Sequence, residues 1–504
     1  MPSHILRRLS CALFSIVLFC HGARADGSLT AEQAKREAGI LVASLRALHP
    51  ALDKYRDKAQ VEAAFSHFEA RAATARTPAE MYLAATELAA AVRCGHTWTN
   101  VLNQAGAIRR QLLDTPDKLP LTMTLVDGRW RVLASATPGA AAGDEVLTID
   151  GRDSRTVVAA MLPYLRADGS SDGKRLRQLG HDRPDYSMMD IVWPLLSPPE
   201  NGVYRLGVQR RDGARLVVAA PALTLAERAE RLRAQGVKPV SEEWRMRFEK
   251  DYAVMTLPTF AFYRSKFDWQ GFFAASFAEL QRRRVPHLII DIRDNEGGDG
   301  AIGLDLLSYL AKIPMTYRSD QSVTAYERVP YRLARHLDTW DFGFFDRTGM
   351  VEPITSGPQA GRLSYRPHAG KEHPVVPRPN RFGGKAWLLV GPENSSASFA
   401  LAQLAQQSGA AVLVGQPTGG NLRGLNGGQL AWVTLPHSGV AVDVPLLASR
   451  YEADTPDRGV IPDLPVRRSF SLQAAGRDQE LEAVLESALG ARFPAQAEAE
   501  MPVH

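Results

Sequence analysis

The sequence is poor in cysteine, in long apolar runs, in net charge and, toward its end, in lysine, and each shortage excludes something. Only three cysteines occur in 504 residues, and two of them, Cys11 and Cys20, fall near the N-terminus. If that stretch is removed, Cys94 stands alone, no internal disulfide forms, and stability has to come from buried apolar cores. No segment reaches the roughly 18 uninterrupted apolar residues of a membrane-spanning helix, so no transmembrane segment is expected. The formal charge of +5 falls to +2 without residues 1–25, which carry Arg7, Arg8 and Arg24 and no acid. A near-neutral surface lacks the long-range field that would select nucleic acid, and no nucleic-acid partner is expected. Finally, no lysine follows Lys385.

What is present begins with a leader. Arg7-Arg8, the apolar run Cys11 to Cys20 and the triplet Ala23-Arg24-Ala25 follow the charge, apolar core and small-residue order of a secretory signal. Residues 1–25 are expected to be cut off before Asp26, placing the mature protein in the periplasm or outside the cell. Residues 26–105 form a helical region, with apolar residues at helical spacing such as Leu41, Leu45 and Leu48. It closes on Arg93-Cys94-Gly95-His96-Thr97, where His96 stands at a helix-to-strand junction. Residues 115–225 turn to β character. Within them Gly143-Asp144-Glu145-Val146-Leu147-Thr148-Ile149-Asp150-Gly151 resembles the strand and turn of a PDZ-like domain, and the stretch 167–199 reads as an insertion or mobile connection. Across residues 240–490 strands alternate with helices, which predicts a layered α/β core.

Two constellations in that core carry chemistry. Gly391-Pro392-Glu393-Asn394-Ser395-Ser396-Ala397-Ser398 lies between an apolar strand and an Ala-rich helix. A serine at such a turn is held in the open, with the unpaired N–H groups of a helix N-terminus behind it, as an acyl-transfer nucleophile requires. Taken alone, the same residues are also what a helix cap needs. The second constellation, Asp291-Ile292-Arg293-Asp294-Asn295-Glu296-Gly297-Gly298, follows a buried strand. Its paired glycines let backbone N–H groups approach a reacting oxygen, as an oxyanion hole does.

Together these stretches resemble the signatures of the tail-specific and tricorn-type serine peptidases. Asp291-Ile292-Arg293-Asp294-Asn295-Glu296-Gly297-Gly298 is similar to their D-[LI]-R-x-N-x-G-G element. Ser396-Ala397-Ser398, followed by Gly415-Gln416-Pro417-Thr418-Gly419-Gly420, is similar to their nucleophile block, and Arg458-Gly459-Val460-Ile461-Pro462-Asp463 to their G-V-x-P-D element. The resemblance implies a crotonase-like layered α/β catalytic core, with an N-terminal helical region and a PDZ-like β domain, and the hydrolysis of peptide bonds in exported or unfolded proteins without metal or other cofactor.

One branch of that family activates serine with a lysine at the position of Asn421. The other, which includes the modules of interphotoreceptor retinoid-binding protein, uses a histidine in a D-G-H-T element. Cys94-Gly95-His96-Thr97 matches the latter except at Cys94, and the lysine-free tail excludes the former. The resemblance therefore implies Ser396 as nucleophile, His96 as base, an oxyanion hole from Ala397 with Gly297 or Gly298, and mild effects for any lysine substitution in the core. An acid should orient the imidazole. Glu452, Asp454 and Asp457 precede Gly459, and Asp457 is the preferred choice. A Cys94–His96 dyad would leave Ser396 and both glycine motifs unexplained. Phe399 stands where the family has Glu, and either supports the turn or alters substrate and activity. The alternatives to a peptidase are a non-catalytic ligand- or peptide-binding module on the same fold and a small ester or amide hydrolase.

Overall fold

The computed structural model describes residues 28–181, 186–263 and 265–491. The leader, the cleavage point before Asp26 and the cysteines Cys11 and Cys20 lie outside the described residues. Among the described residues no helix is long and apolar enough to cross a membrane, and Cys94 is free and buried.

The N-terminal region consists of three helices, Ala31–Leu48, Lys58–Ala72 and Pro78–Ala91. Each opens on a capping box, Thr30 with Gln33, Asp57 with Gln60 and Thr77 with Glu80. In each, a side-chain oxygen satisfies an otherwise unpaired helix N–H. The third helix ends where Arg93 takes a left-handed φ of 60°, which turns the chain into the Cys94–Thr97 bend.

Residues 121–221 form a largely antiparallel sheet. Its order runs Leu121–Val126, Arg129–Ser135, Glu145–Ile149, Val203–Gln209, Arg215–Pro221, with Arg152–Asp153 on the third strand. Its inner face, including Trp130, Val146 and Leu206, shares one apolar core with the N-terminal helices and with the late hairpin Leu430–Thr434/Ala441–Pro445. The stretch read as an insertion is packed into the molecule: Asp168, Lys174, His181 and Asp190 are all buried. Asp190 accepts both Arg228 Nη1 at 2.6 Å and Arg228 Nη2 at 2.9 Å, and its Oδ1 lies 3.2 Å from His181 Nε2. This buried ionic knot ties the stretch to the helix Leu225–Ala234.

The second half is organised on a sheet ordered Leu464–Pro465, Val412–Gly415, Lys385–Val390, His287–Asp291, Tyr252–Thr256, Arg245–Phe248, parallel except for the last pair. Alternate residues face opposite layers. Leu288, Ile290, Leu388 and Leu413 pack with Phe273, Phe277, Leu306 and Leu401 of helices Trp269–Arg283, Gly300–Leu310 and Ser396–Gln407. Ile289, Trp387, Leu389 and Val414 pack with Val484 of helix Gln479–Leu489. The result is an α/β fold. Because Leu389 is in register with Asp291 and Val390 with Gly415, the loops after these strands leave the sheet side by side at its carboxyl edge, where α/β sheets place their sites.

Candidate active site

Those loops carry the two constellations. Ser396 is the first residue of helix Ser396–Gln407 and has φ 51°, a left-handed conformation that non-glycine residues rarely adopt. Buried amides hold the turn. Asn394 Oδ1 accepts the Gly391 N–H at 2.8 Å, while Asn394 Nδ2 donates to the carbonyls of Ile292 and, at 3.0 Å, Asn295. Ser398 Oγ donates to Asn295 O at 2.7 Å. The strained serine is thus fastened to the neighbouring loop by residues that are themselves fully buried.

Gly297 and Gly298 lie against this turn at φ 116° and 139°. A methyl on Gly297 would sit 2.8 Å from Ser396 Cβ and 2.9 Å from Ala397 N, and one on Gly298 would sit 2.1 Å from the Phe260 carbonyl carbon. Only glycine fits either place. The two N–H groups differ, however: that of Gly297 donates to Asn295 Oδ1 at 2.8 Å, whereas that of Gly298 has no acceptor among the described residues. Of the two glycines that the sequence leaves open, Gly298 is the one whose N–H is not taken up by a described acceptor, and it lines the same cavity as Ser396.

His96 stands in the bend after the third helix, where Thr97 N donates to Cys94 O at 3.0 Å and Thr97 Oγ1 meets His49 Nε2 at 2.9 Å. His96, Ser396, Gly297 and Gly298 all line one cavity of about 490 Å³. Burial pushes the imidazole pKa below its ordinary value; the Asp168 charge works against that, and the Arg166 and Lys174 charges add to it. The ring is therefore neutral at pH 7 and able to accept a proton. Burial also pushes the Cys94 thiol pKa up, so this cysteine stays an unreactive thiol, held by Asn426 Nδ2 at 3.2 Å.

Asp457 is not turned to the histidine. Its Oδ1 accepts Ser170 N at 3.0 Å and Asn421 Nδ2 at 2.7 Å, and its Oδ2 accepts Ser170 Oγ at 2.9 Å. The expectation that Asp457 orients the imidazole finds no bond here, because its oxygens go to Asn421 and to the loop after Asp168. Phe399 is 3 % exposed and its ring lies against Gly420, so it packs the turn beneath Ser396.

The sequence reading missed three residues, all delivered by the stretch near 167–199. Asp168 reaches the cavity. Arg166 donates from Nη2 to Glu296 Oε1 at 2.9 Å and lies 3.9 Å over the Trp98 ring. Lys174, 2 % exposed, donates to Glu296 Oε1 at 2.7 Å, Ser395 Oγ at 2.9 Å and Glu393 O at 3.3 Å. The resemblance implies mild effects for lysine substitutions in the core; Lys174 enters the same turn from upstream of it. With donors directed at a carboxylate, a carbonyl and a hydroxyl, it clamps the turn by charge. The one signal in the sequence was a cluster of charge in a stretch otherwise resembling a linker.

Residues 251–466 match the family model described as Peptidase family S41. No curated protein matches the chain. Among solved structures it is similar to mature CPAF complexed with lactacystin, at 15 % identity and TM-score 0.58 over 91 % of this chain and 97 % of that one. A CPAF mutant gives 14 % identity and TM-score 0.60 over 92 % and 99 %. The photosystem II D1 C-terminal processing protease gives 17 % identity and TM-score 0.41 over 92 % and 98 %. At these identities the likeness is one of fold.

Proposed function

Residues 251–466 place this chain in Peptidase family S41, a family of serine peptidases, and on that premise we propose that it is an exported peptidase working through a Ser396/His96 acyl-enzyme. Ser396 Oγ attacks the scissile carbonyl while the neutral His96 imidazole takes its proton. The carbonyl oxygen becomes an oxyanion facing the Gly298 and Ala397 N–H groups. His96 then protonates the leaving amine, and water, deprotonated by the same imidazole, releases the acid product and restores Ser396. The observation that carries this reading is the left-handed Ser396 sharing one cavity with His96 and a free Gly298 N–H. A peptide or unfolded protein is the substrate class, supported by the family; export is supported by the Arg7-Arg8 leader.

His96→Ala should lower turnover by about 10² or more, the usual contribution of a general base. Because burial holds the imidazole pKa below 6.5, activity should remain level around pH 7 and decline only as the pH falls beneath that value. The reading is tested by following hydrolysis of an unfolded protein by mass spectrometry against pH. Full activity in His96→Ala would remove the histidine from the mechanism.

A further inference from the structure

We propose that Asp168 is the positioning carboxylate of the reaction, acting through His96, and that Asp457 serves it from behind by fixing the loop on which it stands. The inference rests on the Ser396/His96 reading and supplies the acid that reading lacks.

Asp168 is 2 % exposed, yet it lines the same cavity as His96 and Ser396. Its Oδ1 accepts the N–H of Gly95, the residue before His96, at 2.9 Å. The approach is close: a methyl on Gly95 would lie 2.6 Å from Asp168 Oδ2. That second oxygen accepts no hydrogen bond among the described residues, and His96 Nδ1 is buried with no partner. An unused carboxylate oxygen and an unused imidazole nitrogen thus belong to two residues lining one cavity, the carboxylate being bonded to the residue before the histidine.

The charges around the ring leave this role to Asp168. From its own stretch come Asp168, Arg166 and Lys174, and from the loop after Asp291 comes Glu296. Gly427, on a third loop, brings no charge against the ring. Glu296 is already bound by Arg166 at 2.9 Å and Lys174 at 2.7 Å, so its charge is largely answered. Asp168 is the carboxylate free to stabilise the imidazolium that forms when Ser396 loses its proton. Asp457 cannot do so while its two oxygens hold Ser170 and Asn421, but these bonds, with Asn421 Nδ2 reaching Asp168 O at 3.4 Å, brace the loop that presents Asp168.

The test is the rate at which a fluorophosphonate labels Ser396 in the full chain, followed between about pH 5 and 8, in the parent, Asp168→Asn, Asp168→Glu and Asp457→Asn. Asp168→Asn keeps an acceptor for the Gly95 N–H and loses only the charge. It should cut the rate by about tenfold or more and move the midpoint of the pH profile down by about one unit or more. Asp168→Glu should keep the parental midpoint at a reduced rate, and Asp457→Asn should leave the midpoint in place. Parental rate and midpoint in Asp168→Asn would overturn the proposal. So would a midpoint displaced by Asp457→Asn, or one lowered by Asp168→Glu, and these two comparisons stand even if Asp168→Asn fails to fold. A parent that takes no label at Ser396 would refute the Ser396/His96 reading itself, and the inference with it.

Discussion

The two walls of the candidate site are held by different means. On the Ser396 wall the chain is fixed mainly by neutral hydrogen bonds and steric fit, with Asn295 and Asn394 fully buried and Gly298 admitting no side chain against Phe260, and Lys174 is the one charged group bonded into the turn, at Ser395 and Glu393. On the His96 wall the fixing is ionic, through Arg166, Asp168, Lys174 and Glu296. The first arrangement sets where a backbone N–H points and is indifferent to pH. The second sets how readily an imidazole takes a proton, and Arg166, Asp168 and Lys174 come to it from a different part of the chain, while Glu296 is shared with the glycine loop. Geometry and basicity are therefore largely separable here, Lys174 being the residue that touches both.

The largest effect is expected on the neutral wall. Gly298→Ala has no room at its methyl, so the free N–H must move. Hydrolysis should fall by about 10² or more, as for loss of one oxyanion donor, with the pH midpoint unchanged. Steady-state rates across pH check both parts, and a shifted midpoint would blur the division between walls.

Next comes the ionic side. Lys174→Met leaves Glu393, 1 % exposed, without its 3.5 Å ammonium neighbour, and breaking a buried pair costs about 3 to 5 kcal/mol. Urea denaturation measures this. The same loss removes a charge that lowers the His96 pKa, so the pH midpoint should rise, opposite to the shift expected for Asp168→Asn. Shifts of the same sign in both variants would contradict the electrostatic account.

The smallest effect at neutral pH concerns His49, beneath the Thr97 bend, and it changes on acidification. Burial pushes its pKa to about 3. As pH falls below 6.5, the unfolded chain takes up a proton that the folded chain refuses, so stability is lost at about 1.4 kcal/mol per pH unit until the folded-state value is reached. His49→Asn loses the bond to Thr97 but also the titration, so its deficit against the parent should shrink at that rate on acidification. Denaturation midpoints at successive pH values would show it, and a constant deficit would mean that His49 takes up its proton alike in the folded and unfolded chains.

The neutral wall was far more legible in the sequence than the ionic one. The strands His287–Asp291 and Lys385–Val390 and the helix Ser396–Gln407 are continuous apolar or periodic stretches, and the turns between them are made by residues adjacent in sequence. Reading them needs only local rules. The strand Arg245–Phe248, with charged alternate residues, and the hairpin Leu430–Thr434/Ala441–Pro445, which joins the N-terminal core, follow from tertiary packing and had no such signature. The same applies to Asp168 and Lys174. Their roles arise from contacts with residues far along the chain, Asp168 with Gly95 and Lys174 with Ser395. A charged, glycine-containing stretch looks like a solvated connection until those partners are known. Asp457 marks the boundary: an acid before Gly459 could be named from the sequence, but not that its carboxylate would bond Ser170 and Asn421.

The central claim is that Ser396 is the nucleophile on the neutral wall, and the most direct measurement is the site of covalent labelling by a fluorophosphonate, with Ser395→Ala, Ser396→Ala and Ser398→Ala in parallel. Ser396→Ala should abolish labelling and lower hydrolysis by several orders of magnitude, because the covalent route is gone while the oxyanion donors remain. Ser395→Ala and Ser398→Ala should still be labelled, at Ser396. Label on Ser395, whose hydroxyl meets Lys174 Nζ at 2.9 Å, or undiminished hydrolysis in Ser396→Ala, would contradict the account.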